Sequence, residues 1–189
     1  MFNREADIVK DRDSEIESIR AKAEWTEEAK QGRIAAVREV AREEVLAVRE
    51  EEKQQRETNL LNTKRAVYEV PAGQFSSDAE KAQILLGYRA ARNDVRAATE
   101  ASTPEEFFQV GDKLADLLDQ AELTGDSQLA RAVYHHSIEA GVDSVRDRYL
   151  DRRPQDRAKF EAFTKAQAEM DASQSFEHLF AAGLTQQAL

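Results

Sequence analysis

The chain has no cysteine among its 189 residues. That excludes disulfides, thiolate metal sites and thiol nucleophiles together, and it fits a reducing compartment. Proline is limited to Pro71, Pro104 and Pro154, so no ring breaks a helix anywhere in the first seventy residues. The glycines at 32, 73, 87, 111, 125, 141 and 183 are dispersed. Neither a phosphate-cradling loop nor a dinucleotide turn can be built from them, and nucleotide-dependent chemistry is not expected. Aromatics make up only 7% of the chain, enough for one modest core, which we place after residue 75. Long apolar runs are missing too, with no window near the ~18 residues of a membrane span. The start, Met-Phe-Asn-Arg-Glu-Ala-Asp, has neither the basic region nor the apolar stretch of a secretion signal. A soluble chain with no membrane span is therefore expected.

Positive charge is in short supply: 27 Lys and Arg stand against 37 Asp and Glu, for a net charge of −10. Residues 1–70 hold 14 basic and 17 acidic side chains, and the remainder 13 and 20. An acidic chain of mixed signs has no phosphate-binding footprint, and nucleic acid is not the expected partner.

What the chain does have is a long helix-forming stretch, residues 3–70, rich in Glu, Arg, Ala, Lys and Gln. As one rod it would approach ~100 Å, more than a small domain can cover. Apolar residues recur on one side at Ile8, Ile16, Ile19, Ala23, Ile34, Val37, Ala41, Val45 and Val48. The spacings of three and four, with eleven-residue steps, predict a narrow coiled-coil-like seam. A charge run from Glu50 to Glu57 interrupts it and reads as a solvated face. Thr26 can cap a helix whose first turn holds Glu27 and Glu28. A continuous rod and a helical hairpin broken near residue 25 both fit these residues.

Val70-Pro71-Ala72-Gly73 ends the stretch, and residues 71–76 read as a linker. Residues 77–182 read as a small bundle of five or six helices, followed by a tail at 183–189. Ser77 and Glu80 form a capping box for a helix reaching about Glu100, with Ala82, Leu85, Leu86, Val95 and Ala98 as its buried positions. Thr103-Pro104-Glu105-Glu106 starts the next, with Phe107, Phe108, Gly111, Leu114, Leu117, Leu118 and Ala121 facing inward and Gly125 as the stop. Asp126 caps a third, where Leu129, Val133, His136 and Ala140 share a face before Gly141. Asp143 caps a short fourth with Val145, Tyr149 and Leu150. Pro154 opens a fifth with Phe160, Phe163 and Met170. A last turn, Ser175 to Ala182, presents Phe176, Leu179 and Phe180 before Gly183. The fold class is thus all-α.

Chemistry is harder to find. His135 and His136 are adjacent on a helix and point about 100° apart, which rules out the i, i+4 pair of a helical zinc site. With Glu139 they form the only metal set worth naming. Against it stands the plainer reading of a half-buried His136 on the core face beside an exposed His135. No catalytic residue, metal ligand or cofactor is expected. The Arg146, Arg148, Arg152, Arg153, Arg157 and Lys159 cluster is interleaved with aspartates and reads as a salt-bridged surface.

Trp25, Thr26, Glu28, Lys30, Ile34, Ala41 and Arg42 follow a turn-and-helix pattern that resembles small helical structural proteins of tailed bacteriophages. Ala130, Ala132, Ala140-Gly141, Tyr149-Leu150 and Pro154 are similar in flavour. Where that family carries proline and glycine, this chain has Glu27 and Ala29. The resemblance implies a virion structural or scaffold-like role, in the cytoplasm of the host cell and then in the particle, without catalytic residues or a small-molecule substrate.

The expectation is a non-enzymatic assembly protein whose partners are itself or other virion proteins. Its expected contact residues are Ile8, Ile16, Ile19, Ile34, Val37, Ala41, Val45 and Val48 on the long helix, and Phe176, Leu179 and Phe180 near the end. The alternative is a helical adaptor that binds a partner protein through the bundle.

Overall fold

The computed structural model describes residues 4–69, 77–101 and 103–186, with Phe107 and residues 175–186 described through their backbone alone. All regular structure among them is helical, as the composition predicts. The expected turn at Val70 to Gly73 and the linker at 71–76 lie outside the described residues. By packing, the chain divides into two compact units. One runs up to Leu60 and includes the chain from Phe176 onward; the other is Leu61–Ser175.

The first unit is built on a hairpin. Helix α1, Arg4–Ala21, ends in a turn over residues 22–26, and α2, Glu27–Tyr68, follows. The continuous rod is therefore excluded. With neither proline nor glycine available, side chain and backbone bonds make the break. The Lys22 amide reaches back to the Ile19 carbonyl at 3.2 Å, and the Thr26 hydroxyl accepts from the Ala29 amide at 3.3 Å. Glu27 and Glu28 then sit at the positive end of the new helix. The Arg33 guanidinium lies 4.2 Å over the Trp25 ring and ties the turn to α2.

The second unit takes in Leu61–Tyr68, the end of α2, and then six helices, five of them whole. They are α3 (Asp78–Thr99), α4 (Pro104–Phe108), α5 (Val110–Thr124), α6 (Ser127–Ala140), α7 (Asp143–Asp151) and α8 (Pro154–Gln186). The Ser77 hydroxyl accepts from the Glu80 amide at 3.2 Å, and Thr103 and Glu106 cap each other reciprocally at 3.3 Å. Asp126 accepts from the amides of Gln128 and Leu129. Gly125 and Gly141, at φ 71 and 68, stop α5 and α6 in the left-handed conformation that a side chain resists.

Several expectations needed correction. The helix foreseen from Pro104 to Thr124 is two, because the chain turns at Gln109, whose amide bonds to the Glu106 carbonyl at 3.1 Å. Phe108 is left 82% exposed. Leu86 is 65% exposed, and Ala82 and Ala98 face solvent. The buried phase of α3 is instead Tyr88, Ala91, Val95 and Thr99. Asp143 is the first residue of α7 rather than its cap. The fifth helix and the last turn are one continuous helix, α8, which passes through Gly183.

The core of the second unit surrounds α6, which packs against α3, α5 and α7. Leu114, Leu118, Ala132 and Val133 are wholly enclosed there. At about 25 cal/mol per Å² of apolar surface removed from water, such side chains hold the helices together.

Candidate functional site

In the hairpin, Glu5 meets Arg49 through two bonds of 2.9 and 3.1 Å, and Arg4 meets Glu51 at 2.9 Å. These pairs fix an antiparallel register, in which Ile8 and Val48 line one groove. The Arg49 bond holds the Glu5 carboxyl below its ordinary pKa. The pairs are solvated, so they set register more than they add stability.

Apart from Ala23, which is exposed in the turn between the helices, the predicted seam faces the inside of this hairpin. Ile16, Ile19, Ala41 and Val48 are buried, while Ile8, Ile34, Val37 and Val45 remain half-buried. Outside the seam, Val9, Val40 and Leu46 are exposed. The side chains of Phe176, Leu179 and Phe180 lie outside the described residues; their backbone continues α8.

Two grooves flank the seam, and the hairpin geometry separates them. One, of about 410 Å³, is lined by Arg4, Asp7, Ile8, Glu44, Val48 and Glu51 near the open end of the hairpin. The other, of about 500 Å³, is lined by Arg20, Glu27, Lys30, Ile34, Ala35 and Arg38 near its turn. At about 100° per residue, Glu44, Ala47 and Glu51 fall on one flank of the α2 seam, and Gln31, Ala35 and Arg38 on the other. The grooves therefore open on opposite faces.

The second unit holds a buried polar centre. His135 is fully enclosed, against the expectation that His136 would be the inward residue. Its Nε2–H donates to the Val67 carbonyl at 3.0 Å, since a carbonyl only accepts. Nδ1 is then the acceptor for the Tyr88 hydroxyl at 2.5 Å. Burial, aided by the nearby Arg131 charge, pushes the imidazole pKa down to about 4. Arg131 donates to the Glu69 carbonyl at 3.0 Å and to Asp156 at 2.9 Å, and Asp156 also accepts the Tyr149 hydroxyl at 3.0 Å. His135 and Arg131 thereby cap the last carbonyls of α2, at the negative end of its dipole. His136 is half-buried, bonded to the Thr99 hydroxyl at 2.9 Å. Its pKa is lowered, mainly by burial.

Only Arg131 and Glu139 are charged between Ser127 and Ala140. That sparseness of charge, on a helix enclosed on more than one side, was the available signal for His135. The neutral His135, with both ring nitrogens engaged and no route to water, locks helices together. His136 Nδ1 lies 3.7 Å from the Glu139 carboxylate, which Arg92 also engages, but both His135 nitrogens are taken by Tyr88 and Val67, and no group of metal-ligating side chains occurs among the described residues.

Four arginines of the Arg146-to-Lys159 cluster are paired with neighbours. Arg146 meets Asp143 and Asp147, Arg148 meets Asp119, Arg152 meets Glu122, and Arg157 meets Asp151. A cleft of about 200 Å³ beside Tyr88, Arg131, Tyr149 and Arg153 offers no open charge either. Arg131 is held by Asp156, and Arg153 stacks 4.0 Å over the Tyr149 ring. Among the described residues no helix is long and apolar enough to cross a membrane. No protein-family model, curated protein or solved structure matches this chain.

Proposed function

We propose that this chain is a non-enzymatic assembly protein whose N-terminal hairpin associates with further copies of itself or with neighbouring subunits. The observation that carries the reading is the incompletely covered seam: Ile8, Ile34, Val37 and Val45 stay half-buried in the folded chain. Apolar side chains at helical spacing with cover on one side favour more helix as partner. A particle component or scaffold-like factor of a tailed phage is the setting we propose. Its support is the resemblance at Trp25 to Arg42, which falls on the turn of the hairpin and the α2 turns after it. The host cytoplasm and then the virion would be its locations.

Amide hydrogen exchange, run on dilute and on concentrated protein, tests the reading. Association through the hairpin slows exchange at high concentration across residues 4–50 while residues 110–150 stay unchanged. Identical exchange at both concentrations would count against self-association. A gain in protection confined to residues 77–150 would move the contact to the bundle and favour the adaptor role.

A further inference from the structure

The two grooves of the hairpin carry opposite charge. Near the open end, Asp7, Glu44 and Glu51 stand against one cation, Arg4. Near the turn, Arg20, Lys30 and Arg38 stand against one anion, Glu27. Internal pairing removes the same share from each. Glu51 is taken by Arg4, and Lys30 by Glu27 at 3.2 Å. That leaves Asp7 and Glu44 on one face and Arg20 and Arg38 on the other, exposed and without an ion pair among the described residues.

Charge is also graded along the hairpin, from basic near the turn to acidic toward the open end. Between Arg20 and Arg38 there are five basic and three acidic side chains; from Glu39 to Glu57 there are four basic and seven acidic. Each groove has an apolar floor, Ile8 and Val48 in one and Ile34 and Ala35 in the other. Each face also carries an exposed aliphatic side chain. Val40 and Leu46, 55% and 53% exposed, fall on opposite flanks of the α2 seam.

We propose that the acidic face of one hairpin docks on the basic face of the hairpin of a second copy of this chain. The inference rests on the assembly reading and names its partner and geometry. Surfaces of unlike charge attract, while acidic on acidic or basic on basic repel, so the pairing also selects against the wrong contact. Because the complementary faces are different surfaces on opposite sides, the contact is heterologous. An open stack keeps one unused acidic face at one end and one unused basic face at the other, so the assembly grows as a filament or closes into a ring rather than stopping at a two-fold dimer.

Two double variants of the full chain test this. Arg20→Glu with Arg38→Glu makes both faces acidic; Asp7→Lys with Glu44→Lys makes both basic. All four positions are exposed, and circular dichroism and thermal melting check that each variant folds. Light scattering at about 50 mM and about 500 mM salt reads the molar mass, since screening shortens the reach of exposed charges to a few ångströms. The wild type is expected above 21.3 kDa at low salt, falling towards that value at high salt. Each variant alone is expected at the monomer mass, and an equimolar mixture is expected to regain the wild-type mass. A wild-type oligomer indifferent to salt and to both variants would overturn the face pairing while leaving assembly intact. A wild type that is monomeric under all conditions would overturn the pairing and self-association together.

Discussion

His135 has both ring nitrogens engaged by groups on other helices, the Val67 carbonyl of α2 and the Tyr88 hydroxyl of α3. Replacing it by Phe keeps ring volume but strands a buried acceptor and a buried donor, at about 1–3 kcal/mol for each. A loss of about 3 kcal/mol in urea unfolding is expected. The same residue sets a pH dependence. Its pKa falls from 6.5 in the unfolded chain to about 4 in the fold, so between those values the unfolded state binds more protons. Stability is therefore full above about 6.5 and declines as pH falls towards about 4, by an amount on the order of 3 kcal/mol. The lowered pKa of His136 acts in the same direction. A His135→Gln variant should flatten the slope of stability against pH in that window; an unchanged slope would contradict the assignment. At this scale the sequence misled. Reading one face of α6 through Leu129, Val133, His136 and Ala140 put His135 outside, but the helix is enclosed on several sides, and residues 130, 132, 133, 134, 135 and 137 are all buried.

At the scale of elements, starts and stops were legible because they depend on local bonds. Ser77, Thr103 and Asp126 cap through their own side chains, and Gly125 and Gly141 end helices through a conformation that glycine enters freely. Gly141→Ala should cost about 1 kcal/mol, since φ of 68 crowds a Cβ. Gly32→Ala should do the reverse. It sits within α2 with nothing within 4 Å of an added Cβ, so about 0.5–1 kcal/mol of stabilisation is expected. Thermal or urea unfolding of both variants checks the opposite signs. Rotational phase was less legible. Leu86 and Phe108 had the chemistry of core residues, yet the neighbours of α3 and the turn at Gln109 decided which way they faced. The seam of the hairpin was readable from its spacing, and the break at 22–26 was one of two outcomes the sequence allowed. What spacing alone did not show is that the α2 seam meets α1, leaving a set of half-covered positions and two charged flanks.

At the scale of the whole molecule, the chain combines a bundle stabilised by buried bonds with a hairpin whose apolar seam is only partly buried. On the proposed reading, the bundle contributes folding stability and the hairpin the capacity to associate. Nothing in the sequence pattern could name the partner, because charged helices with aliphatic seams recur across unrelated assemblies. The all-α class followed from composition, whereas opposed charge on the two hairpin faces emerged only once Arg20 and Arg38 were seen to share a groove. The most direct measurement is the molar mass of the full chain by light scattering over a concentration series at low salt. A mass that climbs above 21.3 kDa as concentration rises is expected. A mass fixed at 21.3 kDa across the series would contradict assembly through the hairpin.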